Sequence, residues 1–142
     1  TMTQLNSIGS LLGAIQQVHA LTDVTGFGLL GHLNEMCGNR LRAEIEYDAI
    51  PKLEPAIHLV ARGCYPDGAL RNWKSYGHRV QGATSMERMF LLTDPQTSGG
   101  LLVAVNPEDQ EKVIRTLSAH GASTTCIGAF CSKNSTSTIS VR

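Results

Sequence analysis

HALTDVTGFGLLGHLNEMC, residues 19–37, holds the change of pattern on which the fold turns. His19 to Val24 reads as a short strand ending in Asp23. Thr25-Gly26 then turns the chain into a helix that carries Leu29, Leu30, Leu33, Met36 and Cys37 on one side, and Gly38-Asn39 closes that helix. A strand feeding a tight glycine turn and an amphipathic helix is the repeating grammar of a layered α/β domain.

The same alternation runs outward in both directions. Upstream, Leu5, Ile8, Leu11, Leu12 and Ile15 fall at three- and four-residue spacing and predict a helix over Thr3 to Ile15. Downstream, Leu41, Ala43, Ile45 and Tyr47 alternate with Arg42, Glu44, Glu46 and Asp48, the period of a half-exposed strand. Pro51 is expected at a first helical position, ahead of a helix buried through Leu53, Ile57, Val60 and Ala61 and ending at Gly63. Ser85 to Leu92 predicts a further helix with Met86, Met89 and Phe90 inward. Leu101 to Val105 is continuously apolar and predicts a strand covered on both faces. Asn106-Pro107-Glu108-Asp109 starts a helix that buries Val113, Ile114 and Leu117 and stops at Gly121. Two last strands are expected at Ser123 to Phe130 and Ser137 to Val141, separated by the polar turn at 132–135. The expected fold class is α/β (α+β), a mixed sheet with helices on both faces.

At 142 residues the chain is the size of one domain, long enough to bury a core without covalent staples. It begins abruptly, with a lone Met2 and no capped element ahead of it, so an upstream domain is expected to be missing. Lys+Arg and Asp+Glu are equal at 12 each, with no basic run, so the charge offers a nucleic acid little attraction. No apolar stretch is long enough to span a bilayer and no secretory pattern opens the chain, so a cytoplasmic location is expected. Cys37, Cys64, Cys126 and Cys131 form no CxxC pair and no zinc set, and read as reduced, structural thiols. The five histidines do not cluster: His32 and His58 fall within helices, His120 at a helix end and His19 at a strand start.

Three segments have the composition of ligand-handling loops. In Thr22-Asp23-Val24-Thr25-Gly26-Phe27-Gly28 a carboxylate at a strand end precedes the exposed amide groups of a helix start, which suits magnesium beside a phosphate. Equally, Asp23 caps the helix and the glycines relieve the turn. Gly26, Gly28 and Gly31 also spell G-x-G-x-x-G with Asp48 twenty residues after Gly28. A dinucleotide fold would bury the following strand on both faces, whereas Leu41 to Asp48 alternates, so Gly31 is read as a packing residue.

In Thr93-Asp94-Pro95-Gln96-Thr97-Ser98-Gly99-Gly100 Asp-Pro starts a turn, and two hydroxyls and paired glycines allow close contact with a phosphate, or form nothing more than a tight connection. Gly63 to Gly82 shows little periodicity and reads as a long loop holding Arg71, Asn72, Trp73, Lys74, Tyr76, His78 and Arg79, either a lid or a solvated connection. No G-x-S-x-G is present to support a hydrolase.

Taken together, Ala20 to His32, Arg71-Asn72 with Ser75 to His78, and Asp94 to Leu102 resemble the bacterial-type selenophosphate synthetases in content, order and spacing. The resemblance runs from about residue 15 to the C-terminus. These enzymes sit in a superfamily with aminoimidazole ribonucleotide synthetase, thiamine-phosphate kinase and a hydrogenase maturation protein. The resemblance implies that residues 1–142 are a single second domain, a three-layer α/β/α unit with a mixed sheet, from an enzyme whose first domain is absent here. It implies the conversion of selenide, ATP and water into selenophosphate, AMP and orthophosphate, with Mg2+ as cofactor, in a cytoplasmic homodimer that associates through the first domain. Asp23 matches a magnesium-binding aspartate, and Thr97, Ser98, Gly99 and Gly100 match a loop expected to touch the nucleotide. The catalytic cysteine or selenocysteine, the essential lysine and the remaining metal carboxylates belong to the missing domain. No catalytic residue is therefore assigned here, and the chain alone is expected to be inactive. Other expectations are a sibling kinase or synthetase acting on a small metabolite, or a stand-alone binding module, which a native start at Met2 would favour.

Overall fold

The computed structural model describes residues 3, 5–83, 85–132 and 136–142. The chain runs α1 (Ile8–Gly13), β1 (Val18–Asp23), α2 (Gly28–Cys37), β2 (Leu41–Ile45), α3 (Glu54–Ala61), α4 (Asp67–Tyr76), β3 (Val80–Gln81), α5 (Met86–Thr93), β4 (Leu101–Val105), α6 (Gln110–Ala119), β5 (Gly128–Ser132) and β6 (Ile139–Val141). Among the described residues the strands form an antiparallel ribbon, β1–β4, and a four-stranded sheet ordered β3-β6-β2-β5. In that sheet β2 pairs antiparallel with β5 and parallel with β6, and β6 is also parallel to β3, so the sheet is mixed and the chain is α/β.

The alternation read in β2 sets the orientation of this sheet. Ala43 and Ile45 are buried in the main core with Leu30, Leu33 and Cys37 of α2 and with Ile139 and Val141 of β6. On the opposite face Arg42, Glu44 and Arg142 pair their charges, with Arg142 donating to Glu44 at 2.6 Å. The ribbon uses the same period differently. Leu102 joins the main core, whereas Leu101, Val103 and Val105 face a second cluster built on Leu12 of α1 and on Val113 and Leu117 of α6. The uninterrupted apolar run of β4 thus serves two clusters, one on each face, although within the strand only Leu102 is buried and the rest are half-buried.

Several expected elements differ. The segment from Gly63 to Gly82 is not a loop: it contains helix α4, a 3-10 turn at Gly77–Arg79 and strand β3. Its inward face is Ala69, Asn72, Trp73 and Tyr76, with a polar residue at its centre, so no hydrophobic periodicity advertised it. Helix α3 starts at Glu54 with Pro55, not Pro51, in its first turn. The Lys52 ammonium donates to the carbonyls of Tyr47 and Ile50, and the helix begins only after the extended residue Leu53. Leu53 and Ala61, expected inside, are exposed, as is Met86 at the start of α5. Helix α1 is confined to Ile8–Gly13 and leaves Leu5 exposed.

Strand β5 begins at Gly128 instead of Ser123, because its partner β2 ends at Ile45 and the chain then turns through a 3-10 helix at Tyr47–Ala49. Cys126 and Cys131, expected to pack, are exposed, as is Cys64; only Cys37 is buried. Met2, and the turn at 132–135 apart from Ser132, lie outside the described residues. No helix among the described residues is long and apolar enough to cross a membrane.

Candidate functional site

The three sequence segments singled out for chemistry converge on one place, the end of β1. Asp23 is the last residue of that strand, exposed, and in register with Leu101, the first residue of β4. Val24, buried in the core, anchors the chain just beyond it. The Val24 amide donates to the Gly100 carbonyl at 2.9 Å, and the Gly99 amide donates to the Val24 carbonyl at 3.1 Å. These two bonds seat the loop of Thr97, Ser98, Gly99 and Gly100 directly against the strand end that carries Asp23. Thr97 and Gly99 are exposed, and Gly100 adopts a positive φ of 90°, a backbone state that glycine enters at little cost.

The turn after Asp23 is held from several sides. The Thr25 carbonyl accepts from the amides of Gly28 and Gln96, both at 3.0 Å, so one oxygen ties the turn to itself and to the second loop. Gly28 has φ of 69°, and a Cβ there would stand 2.7 Å from the carbonyl carbon of Thr93. Glycine is required by both backbone angle and close approach. The adjacent Gly26 meets neither condition, since its Cβ would enter open space.

Helix α4 supplies the remaining ties. The Asn72 side-chain amide donates to the Gly26 carbonyl and to the Thr93 carbonyl, each at 2.9 Å, and so joins the two loops through one buried side chain. Four residues on, the Tyr76 hydroxyl donates to the Phe27 carbonyl at 2.5 Å. Burial pushes the Tyr76 pKa well above its ordinary value, which keeps this hydroxyl protonated and donating. A Cβ on Gly68 would stand 2.8 Å from the Pro95 ring, so α4 also approaches the second loop through its backbone. Gly31 has the same character: its Cβ would collide with the Phe27 Cβ and meet the Tyr76 ring. This is packing, not a dinucleotide turn, as the alternation of β2 implied.

The chemistry available here is that of a cation and an anion side by side. No side-chain hydrogen bond caps α2, whose N-terminus at Gly28 lies five residues after Asp23, so the positive end of its dipole is not neutralised by a capping side chain. Asp94 behaves differently from Asp23. It is half-buried, it accepts a hydrogen bond from the Gln96 side chain, and burial raises its pKa. Among the described residues no three His, Cys, Asp or Glu side chains converge on a metal position. One exposed carboxylate just ahead of an uncapped helix start fits magnesium of the nucleotide-bound kind, for which protein supplies one or two carboxylates and phosphate and water supply the rest. It does not fit a protein-only metal cage.

Sequence reasoning therefore found the residues at the strand end and in the second loop, and the structure brings them together. It missed the roles of Asn72, His32 and Asp94. Asn72 was read as part of a long loop and of the Arg71-Asn72 motif, His32 as a helix histidine closing the first motif, and Asp94 as the start of the second loop. Arg71 and Lys74 are both exposed residues of α4, so neither belongs to a lid loop.

Residues 2–139 match the family model described as AIR synthase related protein, C-terminal domain. The chain belongs to this family. Among curated relatives it is 46% identical over 139 residues to a selenide, water dikinase of Shewanella sp. (strain MR-4), a match covering 97% of this chain and 39% of the relative. It is 49% identical over 130 residues to the selenide, water dikinase of Shewanella baltica (strain OS223), covering 91% and 37%. Against that of Pseudomonas putida it is 47% identical over 135 residues, covering 94% and 39%. The chain thus spans under two-fifths of the length of these relatives, in their C-terminal part. Within this AIR synthase related C-terminal domain, the strand end at Asp23, the loop at Thr97 to Gly100 and helix α4 make one connected unit.

Proposed function

We propose that this domain forms the C-terminal part of a selenide, water dikinase, in which selenide, ATP and water become selenophosphate, AMP and orthophosphate. The observation that supports this most directly is the exposed Asp23 carboxylate at a strand end, braced against the 97–100 loop and next to an uncapped helix N-terminus.

In this reading Asp23 holds Mg2+ by one carboxylate, and the ion supplies positive charge to the phosphates of ATP. The backbone of Gly99 and Gly100, fixed to Val24, lets the loop approach the nucleotide closely, with the Thr97 and Ser98 hydroxyls as its polar contacts. The α2 amides add a favourable field for phosphate oxygens. The chain's own contribution is positioning and charge, because transfer of a phosphoryl group requires several cations and donors gathered around the phosphates. One carboxylate and a few amides are too few, so the catalytic nucleophile, the further carboxylates and most of the ATP contacts come from a preceding domain. The working enzyme is a cytoplasmic homodimer that associates through that domain.

The test is a division of labour. Purified residues 1–142, incubated with ATP, Mg2+ and selenide, release no AMP, and a polypeptide carrying the preceding domain as well releases AMP with selenophosphate. Selenide-dependent AMP from residues 1–142 alone overturns the reading, and ADP as the sole nucleotide product of the longer polypeptide moves the protein to a sibling kinase.

A further inference from the structure

Behind the Asp23 turn lies a row of three polar side chains to which neither the family match nor the motifs give a role. Helix α2 brings Glu35 one turn beyond His32, and Thr25 lies just ahead of that helix. The Thr25 Oγ1 is 3.0 Å from His32 Nε2, and His32 Nδ1 is 3.2 Å from Glu35 Oε2. His32 is only 7% exposed, and its ring stands edge-on to Phe27, with centroids 5.9 Å apart. Glu35 is open to solvent, with 63% of its side chain exposed.

The direction of the hydrogen bonds follows from donor chemistry. An ionised carboxylate only accepts, so Glu35 selects the imidazole tautomer with its proton on Nδ1. In the neutral ring Nε2 is then an acceptor, and the donor it meets is the Thr25 hydroxyl. The Thr25 proton is drawn inward, while the Thr25 carbonyl is already held by the amides of Gly28 and Gln96. Thr25, two residues from Asp23, is fixed at both its polar oxygens.

We propose that His32, oriented by Glu35, is a positioning residue: it holds the Thr25 side chain and locks the turn, so that Asp23, two residues before Thr25, is kept in place to take a divalent cation. This role rests on the reading of Asp23 as a metal ligand, and it adds a residue that acts on the metal only through another side chain.

Two readouts on residues 1–142 test it. The first is nitrogen NMR of the histidine rings, where the neutral form of His32 is expected to carry its proton on Nδ1, and Glu35→Ala shifts it towards the Nε2-protonated form. A neutral wild-type ring protonated on Nε2 overturns the proposal. The second is a titration with Mn2+ alone, followed by the broadening of the Asp23 to Thr25 amide signals. Glu35→Ala is expected to need about three- to tenfold more Mn2+, the range set by losing one oriented hydrogen bond. Its melting temperature should stay close to wild type, as expected for an exposed side chain. His32→Gln, whose amide carbonyl accepts from Thr25, keeps most of the affinity that His32→Leu loses. Broadening in the wild type that Glu35→Ala leaves unchanged overturns the role of His32 alone. No broadening at Asp23 to Thr25 in the wild type overturns the metal reading and this role together.

Discussion

Replacing Asn72 with Ala removes one side chain and disconnects two loops. The Asn72 amide group bridges the Thr93 and Gly26 carbonyls at 2.9 Å each, from a side chain only 8% exposed. Thr93 is fully buried, so its carbonyl has no water to turn to and loses about 1–3 kcal/mol, the cost of stranding a buried acceptor. Gly26 is exposed, so its carbonyl recovers a water and loses only about 0.5–1 kcal/mol. The sum, about 1.5–4 kcal/mol, corresponds to a fall in melting temperature of roughly 5–14 °C for a chain of this size. Urea denaturation measures the free energy, and hydrogen exchange locates the damage. The amides of Gly28 and Gln96, which share the Thr25 carbonyl, should exchange faster than those of α6, which belongs to the other apolar cluster. Asn72→Asp is the sharper version, since an ionised carboxylate facing two carbonyls is repelled. A loss below about 0.5 kcal/mol for Asn72→Ala, the level of an ordinary surface change, refutes the idea that this side chain holds the site together.

The glycines of the same turn should separate cleanly in denaturation experiments. Gly28→Ala costs about 1–2 kcal/mol for its left-handed backbone before the collision with Thr93 adds to it, while Gly26→Ala is neutral or stabilising by up to about 1 kcal/mol. Equal costs at the two positions would mean that the close approach of the turn to Thr93 is wrong. Asp94 gives a pH signature. Burial raises its folded pKa above the unfolded value, so its favourable contribution is fully present below the unfolded value and is lost as pH rises through the folded one. Asp94→Asn should therefore gain stability relative to wild type as pH rises from the ordinary aspartate range upward. A difference that is flat or shrinks with pH contradicts the burial of that carboxyl.

The parts of the fold that sequence made legible are those in which burial is carried by apolar side chains. Leu29, Leu30, Leu33, Met36 and Cys37 announce α2 because each meets the core, and the alternation of Leu41 to Tyr47 announces β2 because one face of the sheet is lined by Arg42, Glu44 and Arg142. Helix α4 was illegible because its inward face works by hydrogen bonds and close backbone approach. Asn72 and Tyr76 donate to loop carbonyls, Gly68 lies against Pro95, and the Cα of Gly77 sits under the Trp73 ring. None of these leaves a hydrophobic period. Leu53 and Met86 misled for the opposite reason, since an apolar side chain at a helix start looks buried whether or not anything covers it. The site was half legible: a carboxylate at a strand end and a hydroxyl-glycine loop are local patterns, whereas the bonds that join them span 46 residues from Gly26 to Asn72 and 21 from Asn72 to Thr93.

The central claim is that Asp23 brings a metal ion to the phosphates of ATP in selenophosphate formation. Phosphorus NMR of the polypeptide that joins this domain to a preceding one, with ATP, Mg2+ and selenide, tests it when wild type and Asp23→Asn are run side by side. The account predicts selenophosphate, AMP and orthophosphate from the wild type and a loss of about 100-fold or more in the variant, the scale of removing one charge-stabilising group from an active site. Undiminished selenophosphate from Asp23→Asn would contradict it.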